Sequence, residues 1–317
     1  MVNPKFEPVD AAVTPRFADV ATFMRTKRVD ATEELDIGLV GVPFDIGLNY
    51  RGGAREAPGA VRHASRLIRK VHPTTGVQPY KICNIADIGD SPVNPIDFNA
   101  SIEMITKFFT DLKAMNIRPV TIGGDHTIPT PILRGLASDG PVGLLQIDSH
   151  PDTLDEMFGT KINHATFMRR GLEEGLIDPK RTVQLGLRGS RFSPDDIQYG
   201  YDNGFTMITF DDYEEMGRAA AIEKMNATLG TGPTYVTIDI DGLDPSFCPG
   251  TGVPEIGGIT PRDAQVIIRS LMGVDVIGAD ISEVAPCYDP TGITSITAAN
   301  LMFELTCVIA DAIDRSR

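Results

Sequence analysis

At 317 residues the chain is long enough for one large α/β domain or two small ones. Its 43 acidic residues outnumber 29 basic ones, a formal net charge of −14, which argues against non-specific binding to nucleic acid or to an anionic membrane. With 42% hydrophobic and 23% charged residues the composition is that of a globular protein, and no run of about 18 apolar residues suggests a membrane span.

Residues 1–35, with Pro4, Pro8 and Pro15 and little periodicity, read as an extended N-terminal arm able to pack on a neighbouring subunit. They lack the apolar core of a signal peptide, so the cytoplasm is the expected compartment. Four widely spaced cysteines, Cys83, Cys248, Cys287 and Cys307, form no C-x-x-C pair and suggest reduced thiols. Apolar runs predict strands over 36–43, 84–89, 118–123, 142–148, 182–189, 205–210, 234–241 and 274–281. The glycine-rich stretch 48–55 after the first strand lacks the spacing of a phosphate loop and reads as an active-site wall. Phe98, Ile102, Ile105, Phe109 and Leu112 recur at helical spacing, as do Ala264, Val266, Ile267 and Leu271, and 298–313 reads as a closing helix. Alternating strand and helix with no dividing linker predicts a single domain over 36–317. Its expected form is a three-layer α/β/α sandwich around a parallel sheet of about eight strands.

Ligands of such sheets gather at the carboxyl ends of the strands. That is where the chemistry-bearing residues fall: Gly123-Gly124-Asp125-His126, Asp148-Ser149-His150-Pro151-Asp152, Asp239-Ile240-Asp241 and Glu283. Alternation along a strand puts Asp148, His150 and Asp152 on one face, and Asp239 with Asp241 on another. An isolated D-x-H-x-D could simply cap a helix. Four carboxylates and two histidines at equivalent ends are instead a site for a pair of divalent cations, because so many gathered anions need neutralising. Such a pair can lower the pKa of a shared water toward neutrality, which favours hydrolysis over redox chemistry. Oxygen-rich ligation without thiolate suits Mn(II), with Ni(II), Co(II) or Fe(II) as substitutes. His63 and His72, in or near a predicted helix, read as structural, and Asp244 as a turn residue.

Gly123-Gly124-Asp125-His126, Asp148-x-His150-x-Asp152 and Asp239-Ile240-Asp241-Gly242-Leu243-Asp244-Pro245, with Pro249-Gly250-Thr251-Gly252, resemble the three signatures of the ureohydrolase family of arginases, agmatinases and guanidino-acid hydrolases. Pro15-Arg16-Phe17 and Thr22-Phe23-Met24-Arg25 are similar to the leader of its guanidinobutyrase- and guanidinopropionase-like members. The resemblance implies one metal on His126, Asp148, Asp152 and Asp239, and another on His150, Asp148, Asp239 and Asp241. It further implies that His164 shuttles a proton to the leaving amine and that Glu283 holds the guanidinium. Trimeric or hexameric assembly is the family's habit.

Departures from the family pattern bear on the substrate. Ser149 and Pro151 replace residues whose side chains are not expected to point with the ligands, and Ala165 replaces the glycine that usually follows the shuttle histidine. Leu154 stands where amino-acid-binding relatives carry asparagine, and leucine cannot hydrogen-bond an α-carboxylate or α-amino group, which argues against arginine. Two substrate readings follow. A guanidino acid of the guanidinobutyrate or guanidinopropionate type would have its carboxylate received by Asn49 or Arg51. An N-alkyl guanidine or biguanide such as metformin would suit a mouth made apolar by Leu154, Met157 and Phe167 and acid-flanked by Asp155 and Glu156. A third reading, of another class, makes the chain a non-catalytic or partner-dependent subunit beside a homologous second chain.

Overall fold

The computed structural model describes residues 2–32 and 34–317; Met1 and Glu33, both within the predicted arm, lie outside the described residues. Eight strands form one parallel sheet: β1 (Ile37–Gly41), β2 (Ile85–Asp90), β3 (Arg118–Ile122), β4 (Val142–Ile147), β5 (Ile177–Leu187), β6 (Thr206–Thr209), β7 (Pro233–Asp239) and β8 (Asp275–Ser282). Their order is β2-β1-β3-β8-β7-β4-β5-β6. Each falls on a predicted run. β5 starts five residues early, because Ile177 pairs with Val142 before an irregularity that contains Pro179 restores the ladder at Thr182.

Alternate residues of each strand enter two separate cores. Ile37, Leu39, Leu145 and Ile147 pack with helices α1 (Ala57–Ala64), α7 (Phe210–Leu229), α8 (Pro261–Arg269) and α9 (Ile293–Ser316) on one face. Val40, Val142 and Leu144 pack with α3 (Phe98–Ala114), α4 (Pro129–Leu136) and α5 (Phe167–Glu173) on the other. The short helices α2 (Pro79–Ile82) and α6 (Asp195–Asp202) complete the set. Covering both faces is what a parallel sheet of continuous apolar strands requires, and each fully buried Leu, Ile or Val contributes about 1.5–3 kcal/mol. The three-layer expectation is met.

Helix ends follow local chemistry. Asp97 caps α3 by accepting from Ala100 N, and Thr260 caps α8 by accepting from Asp263 N, with Pro261 at the first turn. The closing helix is longer than predicted, and by length and composition α9 could cross a membrane. Yet 83% of its most apolar window is buried within the fold, as in a core helix. Part of the arm also belongs to the body: Phe6, Phe23 and Met24 are buried, and Phe23 N donates to Asp87 Oδ2 at 3.0 Å. Arg62 clamps the same carboxylate while stacking on the Phe23 ring. Val13, Phe17 and Val20 of the arm remain exposed.

Sheet order positions the site. β3, β8, β7 and β4 are consecutive neighbours at the centre, and their ends are level: Ile122 pairs with Ile281, Ile281 with Ile238, and Ile238 with Ile147. Asp239 ends β7, and the segments that follow these strands carry His126, Glu283, Asp241 and Asp148.

Candidate active site

The predicted ligands do converge, though not by strand alternation. β4 stops at Ile147, and Asp152 takes a left-handed backbone (φ 51°). After β7 the chain turns through a 3-10 segment, Ile240–Gly242. Local hydrogen bonds shape these turns instead: His150 N donates to Asp148 Oδ1 at 2.6 Å, and Asp241 N to Asp239 Oδ1 at 2.9 Å. Two glycines let the segments meet. A Cβ on Gly124 would lie 1.5 Å from the Phe44 carbonyl oxygen, and one on Gly242 would lie 2.8 Å from Asp148 N.

Two groups result, His126 with Asp148 and Asp152, and His150 with Asp148 and Asp241, each with ligand atoms within 4.8 Å of one another. His126 Nδ1 lies 2.8 Å from Asp152 Oδ2 and 3.0 Å from Asp148 Oδ2. His150 Nδ1 lies 3.2 Å from Asp241 Oδ2 and 3.6 Å from Asp148 Oδ1. Asp148 thus turns one oxygen to each group. Asp239 falls outside both groups, but its Oδ2 is 3.4 Å from His126 Nδ1.

Buried polar residues around this cluster aim it. Thr237 Oγ1 donates to Asp280 Oδ1 at 3.0 Å and so accepts from His126 Nε2 at 2.9 Å, which leaves the lone pair of His126 on Nδ1, toward the carboxylates. Tyr235 Oη donates to the other Asp280 oxygen at 2.7 Å. Gln146 Nε2 donates to Asp148 Oδ2 at 2.6 Å, and Gln184 in turn donates to Gln146 Oε1. Ser149 does face the ligands, contrary to expectation: its hydroxyl donates to Asp241 Oδ1 at 2.7 Å. Sequence reasoning missed these supports. Their signal was present, since Gln146, Gln184, Thr237 and Asp280 interrupt otherwise apolar buried strands.

The donor set fits metal ions. His126 Nδ1 and Asp152 Oδ2 are buried and, though 2.8 Å apart, meet without hydrogen-bond geometry to each other or to any other described residue, an arrangement costly for polar atoms unless something else binds them. Burial opposes charge on His126 and His150, but the facing carboxylates outweigh it and raise both well above the usual imidazole range. Burial, reinforced by Asp148, pushes Asp152 up to about 7. Burial, with Asp241 and Asp148, raises Asp239 well above the carboxylate range, whereas His126 and His150 hold Asp148 well below it despite burial. Without ions the cluster therefore carries protons at neutral pH, and cations must displace them. Divalent-metal affinity is expected to fall as pH drops from 8 to 6, with protons released on binding. Calorimetry in buffers of different ionisation heat checks this; binding with no proton release at pH 7 would contradict it.

Glu283 also has a left-handed backbone (φ 61°), and its N donates to Gly124 O at 2.8 Å. Its Oε1 accepts from His126 N at 2.8 Å, while Oε2 is buried without a partner among the described residues. His164 Nδ1 lies 3.9 Å from Glu283 Oε1, and His164 Nε2 is 3.1 Å from Asn49 Oδ1. Burial, with the charges on His150 and His126, pushes His164 down to about 4. The adjoining pocket, about 180 Å³, is lined by His150, Asp152 and His164 and by Asn49, Leu154 and Met157. Ser190, Arg191, Phe192, Asp196, Val253 and Glu255, not foreseen in the sequence, also line it.

Other expectations are corrected. Arg51 does not line this pocket; its Nε and Nη2 donate to the carbonyls of Gly252 and Thr251 at 3.0 and 2.7 Å, and its guanidinium stacks on Tyr288. Phe167 adds no surface at the mouth, being buried against the His126 ring at 4.6 Å. Nor is the mouth acid-flanked by Asp155, which turns to Arg170 at 2.8 Å, with Arg169 and Lys161 nearby.

Comparison with known proteins agrees with this geometry. The Arginase family model matches residues 35–307. A guanidinopropionase of Pseudomonas aeruginosa is 44% identical over 317 residues, covering all of both chains. A guanidinobutyrase of the same organism is 40% identical over 313 residues, 98% of each chain. The solved structure of proclavaminate amidino hydrolase from Streptomyces clavuligerus superposes with a TM-score of 0.91 at 36% identity, covering 94% of this chain and 100% of that one.

Proposed function

The chain belongs to the arginase family, and from that premise we propose that it is a binuclear-metal amidinohydrolase of a small guanidino acid. The bond cleaved is the guanidino C–N bond of a 3-guanidinopropionate- or 4-guanidinobutyrate-type substrate, and the products are urea and an amine. The observation that carries this is the pair of His/Asp groups sharing Asp148, beside the buried, unpartnered Oε2 of Glu283. His126, Asp148, Asp152 and Asp239 would hold one ion, and His150, Asp148, Asp239 and Asp241 the other. Mn(II) suits the oxygen-rich set, with Ni(II) or Co(II) as alternatives. The ions would supply Lewis acidity and a water made nucleophilic near neutral pH.

The chain's own residues do the rest. Glu283 accepts hydrogen bonds from the planar guanidinium and orients its carbon toward the ligand cluster. As the water oxygen adds and the C–N bond breaks, the leaving nitrogen takes up a proton, which His164 relays. Neutral at rest, His164 has Asn49 to orient its Nε2. Leu154, Met157 and Val253 cover the methylene chain and offer no partner to an α-amino group, which disfavours arginine. The pairing of Asp155 takes away one of the two acids of the flank that motivated a biguanide such as metformin, leaving exposed Glu156, which does not line the pocket. All six ligand positions are competent, which supports catalysis by this chain rather than a purely scaffolding role beside a second subunit.

Four free cysteines, three of them buried, support a reducing, cytoplasmic setting. The exposed Val13, Phe17 and Val20 suit an arm that contacts other subunits of a trimer or hexamer. Urea release from 3-guanidinopropionate, 4-guanidinobutyrate, agmatine, arginine and metformin, measured on Mn(II)-loaded protein, tests the substrate. One of the two guanidino acids is expected to exceed the other three by about tenfold or more in kcat/KM, the scale of one charge-assisted contact. Turnover of arginine alone, or of metformin alone, would overturn it.

A further inference from the structure

Every acid that lines the pocket is already engaged. Asp152 belongs to the ligand cluster, at 2.8 Å from His126 Nδ1. Asp196 Oδ2 accepts from Phe192 N at 2.8 Å and from Ser193 N at 3.1 Å. Glu255 Oε1 accepts from Ser190 N at 3.3 Å and lies 3.7 Å from His150 Nε2. Arg191 is the one lysine or arginine among the lining residues. It is exposed, with no hydrogen-bonding or ionic partner among the described residues. Nearby Arg188, by contrast, spends its guanidinium on the carbonyls of Asp241, Gly242 and Glu255.

The loop that carries Arg191 is built rather than loose. Glu255 ties it down one residue before, and buried Asp196 ties it one and two residues after. Asp196 O in turn accepts from Thr153 Oγ1, next to Asp152. Arg191 is thus anchored through hydrogen bonds to the metal-ligand turn itself, so its position at the mouth is set relative to the reacting end.

We propose that Arg191 receives the carboxylate of the substrate and so selects guanidino acids over guanidines with a cationic or neutral tail. This rests on the amidinohydrolase reading above and deepens it. Opposite charges then flank the substrate: Glu283, which does not line the pocket itself but stands 3.9 Å behind its lining residue His164, for the guanidinium, and Arg191, whose planar fork can bind a carboxylate through two N–H groups. Asn49, at hydrogen-bond distance from His164, is left to orient the imidazole. An ammonium tail such as that of agmatine would face Arg191 with like charge.

The test compares kcat/KM for 4-guanidinobutyrate, agmatine and butylguanidine on Mn(II)-loaded wild type, Arg191→Ala, Arg191→Lys and Arg191→Glu. The ratio of 4-guanidinobutyrate to butylguanidine is expected to fall about tenfold to a hundredfold in Arg191→Ala, the scale of a hydrogen bond between charged groups, chiefly through KM. Arg191→Lys should recover part of it, and Arg191→Glu should shift the preference toward agmatine. Ratios unchanged in all three variants, or equal losses on every substrate, would overturn the assignment. Absence of urea from all three substrates and from 3-guanidinopropionate with wild type would instead overturn the hydrolase reading. Calorimetric binding of 4-guanidinobutyrate against butylguanidine then decides Arg191 separately: a carboxylate preference lost in Arg191→Ala supports it, and one retained in Arg191→Ala, or absent from wild type, refutes it.

Discussion

Asp148→Asn is expected to abolish measurable urea release, a loss of at least about a thousandfold, and to remove more than one equivalent of divalent metal per chain. The size follows from losing several kcal/mol of metal-supplied transition-state stabilisation, at about 1.4 kcal/mol per tenfold. Asp148 is singled out because it is the only carboxylate common to both His/Asp groups, with Oδ2 toward His126 and Oδ1 toward His150. Asp152→Asn and Asp241→Asn, each touching one group, should cost about one equivalent. Asparagine keeps the shape and an acceptor for His150 N or Gln146 Nε2, so the fold should survive; far-UV circular dichroism and melting of the metal-free proteins check that. Metal analysis then separates the positions. If Asp148→Asn retained two equivalents and the wild-type rate, the shared-carboxylate arrangement would be wrong. The same measurement on Asp239→Asn, whose carboxylate stands slightly apart, decides whether it is a second bridge: loss of metal and rate places it there, and retention of both removes it.

Glu283→Gln should lower kcat/KM by about thirtyfold to a few thousandfold while both ions stay bound. Truncating one partner of a desolvated charge pair typically costs about 2–5 kcal/mol, and here the partner is the guanidinium of the substrate. Glutamine can still accept from His126 N through its carbonyl oxygen, preserving the contact that Glu283 Oε1 makes. Its amide N–H groups, however, confront a guanidinium that has only donors to offer. The free protein should not suffer. Burial, with the charge on Asp125, already raises the Glu283 carboxyl well above its usual range, and Oε2 has no partner to lose. A falling rate with unchanged metal content and melting temperature is the expected pattern. Metal lost in step with rate would mean that Glu283 acts by supporting the His126 ligand rather than by holding the substrate.

Much of this was legible before any coordinates. The strands could be read because a parallel sheet covered on both faces demands runs of apolar residues, and runs are local. His126, Asp148, His150, Asp152, Asp239 and Asp241 could be read because few other reasons bring imidazoles and carboxylates to strand ends. Turns rather than alternation along an extended strand set their geometry, since Asp152 turns left-handed and Asp241 sits in a 3-10 turn. Ser149 faces Asp241 for the same reason, because a residue that alternates away in a strand need not do so in a turn.

By itself, then, the chain's order of residues settled the α/β class and the family and singled out the candidate ligands, all of which depend on short-range pattern. Tertiary structure alone decided that β3, β8, β7 and β4 are neighbours, which unites groups from position 126 to position 283. It also decided the charge of the pocket. Asp155 is neutralised by Arg170 and Arg51 is taken up by distant carbonyls, whereas Arg191 is left free at the mouth. The reason is physical: an ion pair depends on which side chains meet through space, and spacing along the chain carries no record of that.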